Sequence, residues 1–239
     1  MNEQHTNLQE MLAANIVAVR NIIAETAQKA GRTVDEITLV AVSKTKPVEM
    51  VKIAYNLGVT DFGENRVQDA LPKIADFHPA GLRWHMIGHV QSNKVNKIVG
   101  QFDSVQSVDS LYLAQLLQRH AEETGIRLPV LLQVNVSGEE SKEGIALAEV
   151  SEVARQIVAL PQLEVQGLMT IAPLVQNLEE VRPVFRGLRE LRDTLRDELP
   201  QCAWQHLSMG MTDDYTVAIE EGATIVRIGR AIFGERGHR

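Results

Sequence analysis

The chain has 239 residues, 44% of them hydrophobic, and a net charge of −7. That is enough apolar material for a large core, and with no basic tract to offset the acidity it argues against nucleic acid as the main partner. Cys202 is the only cysteine, which excludes an intrachain disulfide and a cysteine-based zinc cluster. With no basic flank before an apolar N-terminal core, and no apolar run of membrane-spanning length, a soluble cytoplasmic protein without a membrane partner is expected.

Leu8, Met11, Leu12, Ile16, Val19, Ile22, Ile23 and Ala27 recur at helical spacing, so an amphipathic helix opens the chain and stops near Gly31. A first strand at about 37–43 follows, apolar and β-branched as a parallel strand covered on both faces requires. It runs into Ser43-Lys-Thr-Lys-Pro47, where Pro47 suits the first turn of a helix closed by Gly58. Thr60-Asp-Phe-Gly-Glu-Asn65 reads as a second strand and its loop, and a helical stretch runs from Arg66 to about Ala75. Arg83–Gly88 is a third strand, with a polar helix start at Gln91-Ser-Asn-Lys94.

Phe102–Val108 is the fourth strand, and Asp109 or Ser110 caps the helix carrying Leu113, Leu116 and Leu117. Val130–Val136 is the fifth, followed by a polar loop, Ser137–Gly144, and a helix with Leu147, Val150, Ala154 and Ile157 on one face. Gln166–Thr170 is the sixth. The next helix stripes Val181, Val184, Leu188, Leu191 and Leu195 and starts or kinks at Pro183. His206–Gly210 is the seventh strand, with Thr212 or Asp213 as the cap of the next helix, and the eighth spans about 224–229.

Eight strands alternating with helices predict a parallel sheet. The first turn lacks the GxGxxG of a doubly wound nucleotide fold, so a closed (β/α)8 TIM barrel with an extra N-terminal helix is favoured. With no linker or low-complexity tract visible, one domain over 1–239 is expected.

Side chains alternate along a strand, so Lys44 shares the face of Val40 and Val42 at the carboxyl end of a buried element. Lys46, beside Pro47, points to water. A strand-end lysine is often only a solvated charge, but apolar walls that disfavour the ammonium form recruit lysines for Schiff bases with carbonyl compounds. In barrels a phosphate site often forms after the last two strands. Here those loops are Ser208-Met-Gly-Met-Thr-Asp-Asp214, with Gly210 at its centre, and Gly229-Arg-Ala-Ile-Phe-Gly234. Their glycines serve either a tight turn or an anion at a helix start. Arg227, in phase with Ile225 and Gly229, faces the same interior. A buried cation needs a partner: either a strand-end carboxylate such as Glu64 or a polar ligand atom. A lysine for an aldehyde, loops for a phosphate and an arginine for a ring acceptor together describe pyridoxal 5′-phosphate.

Ala41-Val-Ser-Lys-Thr-Lys-Pro47, Phe62-Gly-Glu-Asn65, Trp84-His-Met-Ile-Gly-His-Val-Gln-Ser-Asn-Lys94, Gly167-Leu-Met169, Leu207–Asp214 and Val226-Arg-Ile-Gly229 closely resemble the pyridoxal-phosphate homeostasis protein family, in order, from about residue 8 to 236. The resemblance implies a barrel like the N-terminal domain of alanine racemase, with the cofactor as an internal aldimine on Lys44. It implies that Ser208 and the backbone around Gly229 and Arg230 hold the phosphate, that Arg227 faces the pyridine nitrogen, and that Asn65 and Met169 lie near the ring. Arg230 stands where the family usually has a small hydroxyl residue.

An arginine beside the pyridine nitrogen discourages the proton that would make the ring a strong electron sink. The expected function is therefore a cofactor carrier and reservoir that supplies apo-enzymes, not an enzyme. The alternative is a weak amino-acid racemase, which needs a second acid/base across the planar intermediate. Of the tyrosines, Tyr55 and Tyr112 fall on helices and Tyr215 comes after the phosphate loop. His85 and His89 straddle a strand end and a loop, so no metal site is expected, and His85 reads as a packed or cofactor-edge residue. Glu139–Glu143 is a solvated loop that could act as a lid or partner surface. No apolar surface stripe is left over, which favours a monomer.

Overall fold

The computed structural model describes residues 3–139 and 143–235. Eight parallel strands build the barrel: β1 (Thr38–Val42), β2 (Asp61–Glu64), β3 (Arg83–Met86), β4 (Ser104–Val108), β5 (Leu128–Asn135), β7 (Leu163–Met169), β8 (His206–Ser208) and β9 (Ile225–Ile228). Neighbours run β4-β3-β2-β1-β9-β8-β7-β5, and β5 pairs with β4 to close the ring. The expected barrel is the observed one. A ninth short strand, β6 (Ile145–Ala146), pairs with Val134 and Asn135 at the end of β5, inside a segment that reads from sequence as loop and helix.

The helices are α1 (Glu3–Lys29), α2 (Val48–Asn56), α3 (Val67–Asp76), α4 (Leu111–Thr124), α5 (Val150–Val158), α6 (Arg182–Glu198), α7 (Tyr215–Glu220) and α8 (Arg230–Phe233). The opening helix α1 lies on α2, α7 and α8, burying Leu12, Ile16, Val19, Ile23 and Ala27. Asn15 Nδ2 donates to the Ile232 carbonyl at 2.9 Å, and Arg32 Nη1 donates to the Ile219 and Ala223 carbonyls. The extra helix thus fixes the elements that come after the last two strands.

Two local expectations change. The stretch after Gln91 is a 3-10 helix, Ser92–Lys97, because the turn-forming run Ser-Asn-Lys is too short and polar to propagate an α-helix. At α7 neither Thr212 nor Asp213 is the cap. Asp214 occupies that position, and its carboxylate accepts the Met211 backbone N–H. At α4 the cap is Ser110, whose hydroxyl accepts the Leu113 N–H, and Gly125 ends the helix in the left-handed conformation.

Alternation sorts the strands into two cores. Outward residues such as Phe62, Trp84, Met86, Val105, Leu132, Leu168, Leu207 and Val226 join the helices in one large apolar cluster. Inside the ring, Val40, Leu131, Met169 and Ile225 form a small apolar plug among the described residues. The other buried inward positions include Asp61, His85, Gln106, Gln133, Ser208 and Arg227. Stability therefore resides mainly between sheet and helices, and the lumen is reserved for polar groups. Trp84, fully buried against Phe62 with ring centroids 5.7 Å apart, tests this division. Trp84→Ala is expected to lower the unfolding free energy by about 3–5 kcal/mol in urea denaturation.

Candidate functional site

The carboxyl ends of β1, β2, β7, β8 and β9 bring the expected residues to one mouth of the barrel. Lys44 lies two residues past β1, half-buried and in phase with the inward Val40 and Val42. The backbone that carries it is fixed on three sides. Ser43 N–H donates to the Gly63 carbonyl at 3.1 Å, Ser43 Oγ donates to Glu64 Oε1 at 2.6 Å, and Lys73 Nζ donates to the Ser43 carbonyl at 2.8 Å. Lys73 also pairs with Glu64 Oε1 at 2.7 Å. Thr45 then turns the chain with φ +64°, in the left-handed region. Lys46 does not point freely to water. Its amine donates to the Gly234 and Glu235 carbonyls, because the turn at Thr45 aims it at the C-terminal segment.

Arg227 is 3% exposed, and its guanidinium donates to Ser208 Oγ at 2.6 Å and to the Thr170 carbonyl at 2.8 Å. Burial pushes its pKa down to about 10, against the pull of the Asp214 carboxylate. No ion pair joins it to a carboxylate among the described residues, so the alternative pairing with Glu64 does not form. Glu64 lies on the outward face of β2 and binds Lys73 of α3 instead. The lumen supplies Arg227 with a hydroxyl and a carbonyl, which leaves guanidinium N–H groups available for a ligand acceptor.

The two glycine loops meet beside it. Arg227 N–H donates to the Gly210 carbonyl at 3.0 Å, locking β9 to the first loop. Gly210 has φ +92°, and a Cβ there would come within 2.6 Å of Ala218 and 2.8 Å of Tyr215, so only glycine fits. Gly229 precedes α8 and packs on Val42 of β1. Ser208 is fully buried, and its hydroxyl is turned into the lumen, donating to Gln106 Oε1 at 2.6 Å. Arg230 reaches across to the carboxylate of Asp213 and approaches Glu235, so its side chain ties the two loops together. Asp214, beneath the first loop, has its pKa raised by burial, opposed by the Met211 N–H and by Arg227.

Met169 belongs to the apolar plug, fully buried between Gln133 and Ser208 in the sheet register. Asn65 continues the inward phase of β2, and its Oδ1 is a buried polar atom without a hydrogen-bond partner among the described residues. Gly88 backs it: a Cβ there would lie 2.3 Å from the Asn65 carbonyl oxygen. His85 is buried inside the ring, bonded to Asp61 and Ser104, rather than at the mouth. His89 is half-exposed near Asp109 and Glu143. Among the described residues no group of three His, Cys, Asp or Glu side chains is arranged to hold a metal. Of the Glu139–Glu143 loop, residues 140–142 lie outside the described residues. No helix among the described residues is long and apolar enough to cross a membrane.

Three participants escape a reading of the sequence: Gln106, Thr170 and Lys73. Gln106 carries a signal, a polar residue in the inward phase of an otherwise buried strand. Thr170 contributes only a carbonyl and Lys73 lies on a helix, so neither has one.

The barrel that carries this mouth is of the alanine racemase N-terminal type. The family model for the alanine racemase N-terminal domain matches residues 15–237. Alanine racemase from Clostridium difficile 630 superposes with a TM-score of 0.75 at 16% identity, over 96% of this chain and 60% of that one, a likeness of fold. The pyridoxal phosphate homeostasis protein of Aquifex aeolicus is 46% identical over 90% of this chain and 93% of its own. That of Escherichia coli K12 is 42% identical over 95% and 97%. PipY of Synechococcus elongatus PCC7942, solved with pyridoxal phosphate bound, superposes with a TM-score of 0.79 at 38% identity over 89% of this chain and 100% of that one. The chain belongs to the pyridoxal phosphate homeostasis protein family.

The clamp on Ser43 can be tested by removing its cation. Lys73→Met strands the fully buried Glu64 carboxylate and is expected to cost about 3–5 kcal/mol. Adding Glu64→Gln should recover a large part of that loss, read from urea midpoints of the single and double variants.

Proposed function

We propose that the protein binds pyridoxal 5′-phosphate as a Schiff base on Lys44 and acts as a carrier and reservoir for it, supplying apo-enzymes rather than catalysing a reaction. The observation that carries this reading is the conjunction, at one barrel mouth, of Lys44, the buried Arg227 and the two glycine loops. The residues fit the group on three counts. Arg227 is a buried donor with N–H groups to spare. Asn65 Oδ1 is a buried polar atom awaiting a partner. The loops at Gly210 and Gly229 present backbone at the starts of two short helices, where anions are favoured. The bound form of PipY and the shared family support the same ligand.

When bound, pyridoxal phosphate supplies a reactive aldehyde and a ring able to absorb electrons. Lys44 contributes the amine, on a backbone held by Ser43, Glu64 and Lys73. Gly210, Gly229 and the Arg230 backbone would hold the phosphate, with Ser208 beside them. Arg227 would donate to the ring nitrogen and, as a cation, would oppose a proton there. Met169 and Asn65 would lie near the ring. The Arg230 side chain is committed to Asp213, so its part would be to hold the two loops together rather than to contact the phosphate.

The tyrosines support the carrier reading. Tyr55 is bonded to the Ala80 carbonyl, Tyr112 is exposed on α4, and Tyr215 packs beneath Gly210, its hydroxyl pKa raised by burial. Curated relatives are named as homeostasis proteins.

Borohydride reduction of protein incubated with pyridoxal phosphate, followed by peptide mass spectrometry, is expected to find the phosphopyridoxyl group on Lys44. Lys44→Ala should lose the visible absorption band, and a wild type that takes no label there refutes the assignment. Incubation with single-enantiomer amino acids should give no racemisation above free cofactor. Turnover abolished by Lys44→Ala would instead establish the racemase.

A further inference from the structure

Arg227 is only the upper end of a line of side chains that descends the lumen. Its guanidinium donates to Ser208 Oγ at 2.6 Å, and Ser208 Oγ meets Gln106 Oε1 at 2.6 Å. Gln106 Nε2 lies 3.3 Å from His85 Nδ1, and His85 Nε2 lies 2.8 Å from Asp61 Oδ1. At the bottom, Asp61 is gripped by the Arg83 guanidinium through two bonds of 2.7 and 2.8 Å. The end of the line faces a cavity of about 280 Å³ at the amino-terminal mouth, opposite the cofactor side.

Donor and acceptor chemistry gives this line one direction. An arginine only donates, so Ser208 must accept from it and has one proton left to give. That proton goes to Gln106, which therefore presents its carbonyl to Ser208 and its amide to His85. The Gln106 amide can only donate, so its 3.3 Å approach assigns His85 Nδ1 as the acceptor, shared with the Ser104 hydroxyl 2.7 Å away. That assignment leaves the ring proton on Nε2, facing the carboxylate of Asp61. An imidazolium would instead donate from Nδ1 to Ser104 Oγ and set an N–H against the Gln106 amide. Burial tends to hold the Asp61 carboxyl protonated, but the bonds from His85 and Arg83 overcome it and keep it well below the usual range.

Resting on the cofactor reading above, we propose that Gln106 and His85 are positioning residues that hold Arg227 as a donor toward the cofactor ring, through a one-way hydrogen-bond chain anchored on Asp61. The chain gives the buried cation oriented acceptors ending on the Arg83-bound Asp61, in addition to the pull of the Asp214 carboxylate. A carboxylate in direct contact would compete with the ring for the guanidinium. One at the far end polarises each intervening bond in the same sense and leaves the ring-facing N–H groups open.

Two measurements test this. In ligand-free wild-type protein, ¹⁵N spectra of the histidine rings are expected to show His85 neutral with its proton on Nε2; a proton on Nδ1, or on both nitrogens, overturns the chain. In the loaded protein, Gln106→Leu removes the central link without touching the cofactor. It is expected to retain the borohydride-trapped adduct on Lys44, to shift the visible band and to weaken pyridoxal phosphate binding by about tenfold or more. A folded Gln106→Leu protein with unchanged band and affinity refutes the role. Should that variant not fold, the wild-type spectrum still decides. Failure of wild type to take cofactor at Lys44 would refute the function proposed above while leaving the His85 tautomer measurable.

Discussion

Everything in the lumen is arranged around one buried cation. Arg227 sits in the inward phase of β9, where most closed barrels would place a branched aliphatic side chain, and an unpaired charge there is costly. The surrounding strands answer it with polar positions: Ser208 from β8, Gln106 from β4, and the Thr170 carbonyl just past β7. The apolar plug shrinks to Val40, Leu131, Met169 and Ile225 as a consequence. The burden of stability moves outward, to the layer where Trp84, Phe62 and Phe185 meet the helices. A barrel organised this way keeps a polar interior without losing its fold.

On the function proposed above, Arg227 would oppose protonation of a pyridine nitrogen. Tyr55 is bonded to the Ala80 carbonyl, Tyr112 is exposed and Tyr215 is buried beneath Gly210. What the mouth brings together is an amine, two glycine loops and a buried donor, the set on which the proposed binding of an aldehyde rests.

Much of the architecture was legible because alternation in buried parallel strands leaves an unmistakable run of apolar, β-branched residues, as in Leu39-Val-Ala-Val42 or Val130-Leu-Leu132. The inward phase of Lys44 and Arg227 could be counted from those runs. What escaped was set by contacts distant in sequence. β6 exists because Ile145 and Ala146 meet Val134 and Asn135, and two residues have no period to detect. The direction of Lys46 depends on the left-handed turn at Thr45, a conformation its residue type does not announce. Glu64 was a plausible partner for Arg227 until its phase was read: it alternates with Gly63 and faces α3, where Lys73 meets it. The shift of the cap from Thr212 or Asp213 to Asp214 is a matter of one or two positions, and Asp214 turns its carboxylate back to the Met211 N–H.

The clamp of Ser43 by Gly63, Glu64 and Lys73 pins the main chain just before Lys44 to two neighbouring elements. Were Lys44 the attachment point proposed above, a ligand would join and leave a residue whose preceding backbone is already fixed. On that proposal the reach of the amine would be set by the length of one four-carbon side chain, and a recipient would have to approach the barrel mouth or take the molecule from solution.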